Sequence, residues 1–376
     1  MRVLHAYKIY WPDGYGGIPQ VISVLGEMDS VEKHLLVARG FGLGRRFNDG
    51  TYDITAVSSF GTVFSTPVSP AYPFAFARKA TGVDLVVHHA PFPLADMGLF
   101  LGLPATTALV VHWHAEVIGK PLLARLISPL IRRTLERADR IVVSDTIMAE
   151  RSQLLAPHLQ KCVAVPYGCD VSYWHTLDPA GREAARQIRS QFPRLIVAVG
   201  RLVGYKGYDV LLKALQSVDA HTIIIGEGPL KRELEKLAAE LGVAGKVSFL
   251  GSLPRDRVKE YLHGASAFAF PSVNHAEAFG VSQVEAMAAG LPVVNTNLDT
   301  AVPRIARNGL EALTVPPEDP NALAAALQTL LGDAALANKL ASAGRERAQA
   351  EYDQSHFLAR VAEIYEDAAR QRQTGA

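Results

Sequence analysis

Short apolar runs alternate with amphipathic helical patterns along the first half of the chain. In chain order the apolar runs are RVLHAY, DLVVHHA, TTALVVHWH, RIVVSD and KCVAVPYG. Patterns of helical spacing accompany them, among them IPQVISVLGEM and a Leu- and Arg-rich stretch at 121–138. This alternation predicts a parallel sheet with helices on both faces.

The same alternation restarts after a polar segment at 178–193. The runs RLIVAVGRL, HTIIIGEG, KVSFLGSL, SAFAFPS and LPVVNTN predict five further strands, separated by helical patterns. We therefore predict an α/β protein with two Rossmann-like domains, at 1–175 and 176–350, and a terminal amphipathic helix at 351–376. Ligands of such sheets bind outside the carboxyl ends of the strands, so the site residues are expected there.

Composition and charge narrow the classes of function. The chain has 376 residues, 49% of them hydrophobic and 20% charged, which is ordinary for globular domains, and its net charge is +1. Neither a clustered basic surface nor a known module indicates nucleic-acid binding. Cys162 and Cys169 form no CxxC pair, and no His/Cys set has zinc spacing. We therefore predict reduced cysteines and no metal site.

The pattern also bears on the membrane. A predicted strand begins at the first residue, which leaves no room for a signal peptide ahead of it, and the longest weakly charged run, at 97–111, is too short to span a bilayer. We expect a cytoplasmic protein with at most peripheral membrane contact at the inner face. The stretch at 121–138 contains Arg125, Arg132, Arg133 and Arg137, and it fits a helix on anionic lipid as well as a domain helix with a solvated basic face.

The segment PSVNHAEAFGVSQVEAMAAGLPVV is the most informative motif. It predicts a buried strand, a loop with Glu277, and a helix that carries Glu285 and is closed by Gly290. The free amides at the start of this helix, about Gly280 to Gln283, suit a diphosphate or sugar hydroxyls. Two glutamates at this spacing are common on solvated helices, but their context indicates that they bind different parts of one extended ligand.

Three other loops follow predicted strands. GRLVGYKG places Arg201 and Lys206 before a helix, which is typical of a diphosphate site, although such a pair is often only a solvated surface pair. GEGPLKREL lets the backbone at Gly226 and Glu227 approach a nucleotide, or serves only as a tight turn. In the first half, WPDGYGGIPQVI places two glycines, Gly16 and Gly17, at the first strand–helix junction, where they fit either a structural turn or a ligand loop.

Histidines end one apolar strand of the first half. VVHWHAEVIGKP supplies His112, His114 and Glu116 where a ligand-binding residue is expected. Histidines near a core are more often satisfied core groups than site residues. His114 is the better candidate of the two.

These motifs together resemble the retaining glycosyltransferases of family four, whose hallmark is two glutamates separated by seven residues in a segment like EAFGVSQVEAMAAGLPVV. The resemblance implies the GT-B fold, in which two Rossmann-like domains face each other across a cleft and a C-terminal helix crosses back to the first domain. It implies that Glu277 contacts the donor sugar, that Glu285 contacts the ribose, and that the amides of Phe279, Gly280 and Val281 contact sugar and diphosphate.

The resemblance extends to the other loops. It implies that Arg201 and Lys206 neutralise the leaving nucleoside diphosphate, and that His114 touches the sugar beside the reacting carbon. It also implies donor contacts for the remaining glycine loops, which contain Gly16, Gly17, Gly226 and Glu227.

Some positions depart from the family's pattern. Glu116 replaces the usual Asp, Tyr167 stands where Asn is usual in the segment that ends with Asp170, and LDTAVPRIARNG replaces a glycine-rich loop, with Asp299 and Thr300 where glycines are common. The last change alters donor choice or marks a subfamily. Asp170 is expected to be a secondary site residue.

From these motifs we predict a retaining, metal-independent glycosyltransferase that uses a nucleoside diphosphate sugar and no cofactor. The sequence contains no Asp-x-Asp, so a divalent cation on the diphosphate is not indicated. The expected donor is GDP-mannose and the expected acceptor a saccharide or lipid-linked saccharide of a bacterial surface polysaccharide, with Pro and aromatic residues at 60–76 as further acceptor contacts. The alternatives are a UDP-sugar donor, a nucleotide-sugar epimerase of the same fold, and a non-catalytic nucleotide-sugar-binding subunit.

Overall fold

The chain folds into two compact α/β units. The computed structural model describes residues 1–14, 16–29, 31–63, 66–115 and 121–374, without the side chains of 121–124. The first unit comprises Met1–Gly168 and Ser355–Ala376, and the second comprises Cys169–Gln354. The boundaries therefore fall at 168 and 354, where the sequence predicted 175 and 350. Main-chain hydrogen bonds explain the difference, because Cys169 donates to Tyr352 and accepts from Gln354.

The first unit contains ten strands and five helices before the chain leaves it, within the described residues. The strands are β1 (Arg2–Ala6), β2 (Glu32–Ala38), β3 (Arg45–Asn48), β4 (Asp53–Val57), β5 (Thr62–Val63), β6 (Thr66–Pro67), β7 (Leu85–Ala90), β8 (Ala108–Trp113), β9 (Arg140–Val143) and β10 (Cys162–Ala164). The helices are α1 (Gly17–Leu25), α2 (Tyr72–Ala80), α3 (Pro93–Gly102), α4 (Pro121–Arg137) and α5 (Thr146–Arg151).

Eight of these strands form one sheet in the order β10-β9-β8-β7-β1-β2-β4-β3. All neighbours are parallel except β3, which pairs antiparallel with β4 at the edge. Every residue of β7 and β8 is buried, as expected of central strands with helices on both faces. Helices α2, α3 and α4 pack in one layer on one face, and α1 packs on the other.

The second unit repeats this plan. Its strands are β11 (Leu195–Val199), β12 (His221–Ile225), β13 (Val247–Gly251), β14 (Ala267–Ala269), β15 (Val293–Thr296) and β16 (Ala312–Val315). Its helices are α6 (Val171–His175), α7 (Pro179–Gln191), α8 (Tyr208–Ala214), α9 (Lys231–Glu240), α10 (Arg255–Gly264), α11 (Val281–Ala288), α12 (Val302–Ile305), α13 (Pro320–Gly332) and α14 (Ala334–Glu351). The sheet is parallel throughout, in the order β13-β12-β11-β14-β15-β16.

The last helix, α15 (Gln354–Thr374), returns to the first unit, as predicted. It buries Phe357, Val361 and Ile364 against the face of the sheet that α1 also covers. The Tyr365 hydroxyl lies 2.9 Å from Nε2 of His112 in β8, and Arg372 forms an ion pair with Asp139 at 2.8 Å. The prediction of two Rossmann-like units with a returning C-terminal helix is therefore confirmed.

Candidate functional site

In the second unit, a lysine and a glutamate from two different loops meet. Lys206 follows β11 and Glu277 follows β14, and these strands are neighbours in the sheet, so their carboxyl ends lie side by side. Lys206 Nζ lies 2.5 Å from Glu277 Oε2, and the Ser272 hydroxyl donates to the same oxygen at 2.9 Å. The structure thus brings together two residues that the sequence predicted in separate motifs.

The pair is largely withdrawn from solvent. The side chains of Lys206 and Glu277 are 13% and 8% exposed, and the Lys206 ammonium lies 5.1 Å from the centroid of the Phe270 ring. Charges in such a partly dehydrated pocket act more strongly than at an open surface. The cluster therefore supplies a fixed cation, an anion and a hydroxyl at the carboxyl edge of the sheet, a combination that suits phosphate and sugar hydroxyls.

The helices that begin next to this cluster lack side-chain caps. Within the described residues, five helices are capped by an aspartate that accepts a main-chain N–H, through Asp145, Asp170, Asp178, Asp319 and Asp333, whereas α1, α2, α3, α9, α10 and α12 have no side-chain cap. Among the described residues, no side chain caps α8, which begins after Gly207, or α11, which begins after Gly280. The first amides of an uncapped helix remain available to an anionic ligand.

Two glycines of the predicted site are required by the backbone. Gly280 has φ of 88°, and a Cβ there would lie 2.7 Å from the Phe270 ring. At Gly226, φ is 143° and a Cβ would lie 2.0 Å from the carbonyl oxygen of Gly200, while the Gly226 amide donates to Gly251 at 2.8 Å. The structure thus gives Gly226 a packing role between strand ends, and its amide is already used within the fold.

The remaining predicted residues of this unit are placed as follows. Arg201 is exposed and forms no ion pair with any residue that the structure describes, whereas Glu227 is exposed and lies 3.9 Å from Lys231. Glu285 is the fifth residue of α11, as predicted, and is buried. Its carboxylate raises the pKa of Cys169 in addition to the larger effect of burial.

The loop around Glu277 is held by buried polar groups that the sequence did not reveal. Phe279 packs against Tyr352 with ring centroids 6.1 Å apart, and Val281 begins α11. The Gln283 amide donates to Phe279 at 3.3 Å and to Val302 at 3.2 Å. Gln283 is a polar residue among the apolar residues of α11, and this pattern could have indicated a buried polar group in the sequence.

The loop that departs from the family's pattern lies beside the glutamate loop. Ala301 donates to the carbonyl of Ala278 at 3.2 Å, and Thr300 is buried, whereas Asp299 is exposed. The residue that follows Asp299 and Thr300 therefore contacts Ala278, the neighbour of Glu277 in the sequence. Asp170, predicted as a secondary site residue, caps α6 by accepting from Tyr173 at 2.8 Å, which gives it a structural role.

In the first unit, His114 belongs to a chain of hydrogen-bonded side chains. His5 Nδ1 lies 3.0 Å from His89 Nε2, His89 Nδ1 lies 2.9 Å from His114 Nε2, and His114 Nδ1 lies 2.7 Å from the Tyr167 hydroxyl. The rings of His89 and His114 are stacked, with centroids 5.2 Å apart. His5, His89 and His114 belong to or follow the neighbouring strands β1, β7 and β8, whereas Tyr167 follows β10, two strands from β8.

The chain runs in one direction, because a neutral imidazole has one N–H and one lone pair. His5 Nε2 is buried and has no hydrogen-bond partner among the described residues. An unpaired N–H is rarer in proteins than an under-used acceptor. We therefore assign donation from His5 to His89, from His89 to His114, and from His114 Nδ1 to Tyr167. Both ring nitrogens of His114 are engaged, so a sugar hydroxyl at the ring would have to replace one of these bonds.

Burial keeps these histidines neutral. It lowers the pKa of His5 and of His112 to about 3, and it lowers the pKa of His89 and His114 well below the ordinary value, with the neighbouring histidines adding to the effect. His89, His112 and His114 are also the group of described residues that could hold a metal, since their ligand atoms lie within 4.8 Å of one another. Their hydrogen bonds to each other and to tyrosines account for most of these nitrogens without an ion.

The two predicted glycines of the first unit stand at the start of α1. Gly16 precedes it with φ of 145°, and no side chain caps the helix within the described residues. A Cβ on Gly16 or Gly17 would meet nothing within 4 Å, so the space in front of this helix is open. Glu116 lies outside the described residues.

The basic helix α4 contributes three exposed arginines. Arg125, Arg132 and Arg133 are exposed, whereas Arg137 donates to the carbonyl of Thr107 at 2.7 Å and serves the fold. Ile131 and Leu135 are buried against the sheet. Within the described residues, no helix combines the length and apolar character needed to cross a membrane.

Comparison with known proteins shows which protein family the chain belongs to. The family model described as glycosyl transferases group 1 matches residues 182–347. The D-rhamnosyltransferase WbpZ of Pseudomonas aeruginosa is 33% identical over 342 residues, which cover 88% of this chain and 86% of that protein. The chain belongs to the group 1 glycosyltransferases.

Two further relatives of this glycosyltransferase are named as mannosyltransferases. The O-antigen chain mannosyltransferase C of Escherichia coli is 27% identical over 97% of this chain and 98% of its own length. A GDP-mannose-dependent alpha-(1-6)-phosphatidylinositol monomannoside mannosyltransferase of Mycobacterium tuberculosis is 28% identical over 77% of each protein. The epimerase and the non-catalytic subunit are therefore set aside in favour of a glycosyltransferase.

Solved structures share the fold of this glycosyltransferase. Sucrose-phosphate synthase of Thermosynechococcus elongatus matches with a TM-score of 0.81 at 19% identity, covering 97% of this chain and 98% of that one. Anabaena HepE in complex with UDP-glucose matches with a TM-score of 0.76 at 18% identity, covering 98% and 100%. At this identity the likeness concerns the fold alone, which is GT-B.

Proposed function

We propose that this glycosyltransferase transfers mannose from GDP-mannose, with retention of configuration, to a hydroxyl of a saccharide or lipid-linked saccharide in bacterial surface polysaccharide synthesis. The observation that carries the proposal is the Lys206–Glu277–Ser272 cluster beside the uncapped helices α8 and α11. The named activities of the relatives in Escherichia coli and Mycobacterium tuberculosis support the choice of sugar and nucleotide.

The cluster suits a nucleoside diphosphate sugar. We propose that Lys206 and Arg201 stabilise the negative charge that builds on the diphosphate as the glycosidic bond breaks, together with the free amides of α8 and α11. Glu277 then accepts from sugar hydroxyls, while Glu285 contacts the ribose. Gly16 and Gly17, at the uncapped start of α1, are proposed to approach the donor. Gly226 and Glu227 are proposed to lie close to its nucleotide.

The bond changes are simple. The bond between the anomeric carbon and the diphosphate oxygen breaks, a bond from the acceptor oxygen to the same face of that carbon forms, and the acceptor proton moves to the departing phosphate. His114, held by His89 and Tyr167, is proposed to orient the sugar beside the reacting carbon. In this proposal the charges of the protein replace a divalent cation, and no cofactor takes part.

A UDP-sugar donor is the second candidate, since the structural neighbour HepE is solved with UDP-glucose. A thermal-shift panel with GDP-mannose, GDP, UDP-glucose and UDP decides between them, because a ligand of the folded state raises the melting temperature. A shift with the guanine nucleotides alone supports the proposal, and a shift with the uracil nucleotides alone refutes the GDP-mannose donor.

Transfer itself is tested with matched lysine variants. We expect Lys206→Met to lower kcat/KM for the donor about 100-fold or more, since the fixed cation acts in the transition state. Lys213→Met is the control, because Lys213 lies on α8 and its exposed ammonium pairs with Asp209 on the same helix. Equal activity of the two variants would refute the role of Lys206. Full transfer in the presence of EDTA would support metal independence. The same anomeric configuration in donor and product would support retention.

A further inference from the structure

A cavity of about 620 Å³ lies in the first unit, away from the residues discussed above. It is formed between the edge strands β3 and β4 and the helix α2, and its charged lining consists of Arg45, Arg46 and Arg78. Phe74 and the segment that ends β4 complete the wall. The lining contains three guanidinium groups and no carboxylate, so the cavity favours an anion.

The positive charge of this cavity is only partly neutralised. Arg45 forms an ion pair with Asp13 at 3.2 Å, but Arg46 and Arg78 form no ion pair with any residue in the described part of the chain. The neighbouring Lys79 feels both of them: its pKa is lowered by burial first, then by Arg46 and Arg78, and raised by Asp53. Two guanidiniums and one ammonium thus share a region with one nearby carboxylate.

Large apolar side chains stand exposed around the same cavity. Phe74 in its wall is 68% exposed, and Leu43, next to the lining residue Gly44, is 85% exposed. Phe60 and Phe41 are 80% and 73% exposed, and a bridge between Gly42 and Ser59 joins their loops beside the cavity. Exposed aromatic groups around a cationic cavity are typical of a surface that meets the boundary between lipid headgroups and acyl chains.

We propose that this cavity binds the phosphate group of an anionic lipid, with the surrounding aromatic side chains inserted at the membrane interface. The phosphate accepts from Arg46 and Arg78, for which guanidinium groups are well suited. Helix α4, with exposed Arg132 and Arg133, lies in the same helix layer as α2, so further basic groups face the same side of the unit. A soluble phosphate compound shares this chemistry, and the experiment separates the two sources.

The position of the cavity fits a lipid-linked acceptor, a point that rests on the proposed function. The cavity includes the end of β4, and His114 follows the end of β8, four strands away in the same sheet. At about 4.8 Å per strand, the two positions are about 19 Å apart along the carboxyl edge. A lipid phosphate in the cavity would thus leave room for a saccharide between the anchor and the reacting end.

The test is binding to vesicles made of equal parts of phosphatidylglycerol and phosphatidylcholine, compared with phosphatidylcholine alone. We expect the Arg46→Gln/Arg78→Gln variant to bind anionic vesicles about 30-fold more weakly, since each basic residue near an anionic surface contributes about a factor of five. Arg360→Gln/Arg370→Gln, which removes the same charge from exposed positions on α15, is the control and should bind like the unmodified protein.

Additional variants and ligands distinguish a lipid phosphate from a soluble phosphate compound. Phe74→Ser should weaken vesicle binding without changing charge, whereas Leu159→Ser, at another exposed position of this unit, should not. Tight binding of inorganic pyrophosphate that needs Arg46 and Arg78, without vesicle binding, would overturn the lipid proposal in favour of a soluble phosphate. Unchanged vesicle binding by the Arg46/Arg78 variant, with loss in Arg132→Gln/Arg133→Gln, would overturn the cavity as the site. These measurements use no donor, so their failure leaves the proposed transfer untouched.

Discussion

Acid should unfold the first unit before the second, because of its buried histidines. His5 and His112 are neutral in the folded protein, where burial lowers the pKa of each to about 3, whereas an unfolded histidine titrates near 6.5. Above that value both states are neutral, and stability does not depend on these groups. As the pH falls below it, only the unfolded state takes up the protons, so stability is lost down to about pH 3.

The size of the effect follows from the shifts. One pH unit is worth about 1.4 kcal/mol for each proton that only the unfolded state binds. Between pH 6.5, where the unfolded histidines are half protonated, and about pH 5, His5 and His112 together therefore cost about 3 kcal/mol of unfolding free energy. His89 and His114 add to this in the same direction, because burial lowers their pKa as well. Such a loss is a large part of the stability of an ordinary domain, which is about 5–15 kcal/mol.

Tryptophan fluorescence during urea denaturation measures this loss in the first unit. Trp11 and Trp113 belong to that unit and Trp174 to the other, so a Trp174→Phe background reports the first unit alone. His112→Gln keeps an acceptor for the Tyr365 hydroxyl but cannot be protonated, so it should reduce the pH slope by one proton. His356→Gln, an exposed position on the same helix as Tyr365, is the control. An unfolding free energy that stays constant from about pH 7 to about pH 5 would refute the reasoning.

Two substitutions test the packing of the site. Tyr167→Phe removes the acceptor of the His114 Nδ1–H and should lower the unfolding free energy by about 1–3 kcal/mol, measured by urea denaturation; a loss below about 0.5 kcal/mol would contradict the assigned direction of the hydrogen-bond chain. Gly280→Ala should cost more stability than Gly290→Ala, because both have positive φ but only at Gly280 does the new Cβ meet the Phe270 ring. Melting temperatures compare the two, and an equal decrease would show that this contact relaxes freely.

The fold was largely predictable, because most strands are continuous apolar runs. All five strands predicted in the second half are present, as β11 to β15. Six strands in the described part of the chain were not predicted. Of these, β2, β3, β4 and β16 are edge or near-edge strands, where polar residues interrupt the run, as in EKHLLVA and ALTV, and β5 and β6 have only two residues each. A strand buried on one face carries a weaker signal than a central strand of a parallel sheet.

The site was predictable as separate motifs but not as a cluster. Lys206 and Glu277 lie far apart in the sequence, and they meet because β11 and β14 are neighbours, which only the strand order shows. The histidine chain is missed for the same reason. His5, His89 and His114 come from three neighbouring strands and touch only because of the strand register, and a register cannot be read from one strand at a time.

The two units differ in the kind of polar group that they bury. The first unit buries neutral histidines, which exchange hydrogen bonds with each other and with Tyr167 and Tyr365. The second buries the charged pair Lys206 and Glu277 and leaves the helix amides after Gly207 and Gly280 uncapped. A diphosphate needs fixed positive charge, whereas sugar hydroxyls are recognised by neutral hydrogen-bonding groups. The uncapped amides and Lys206 in the second unit therefore support the proposal that this unit binds the diphosphate of the donor.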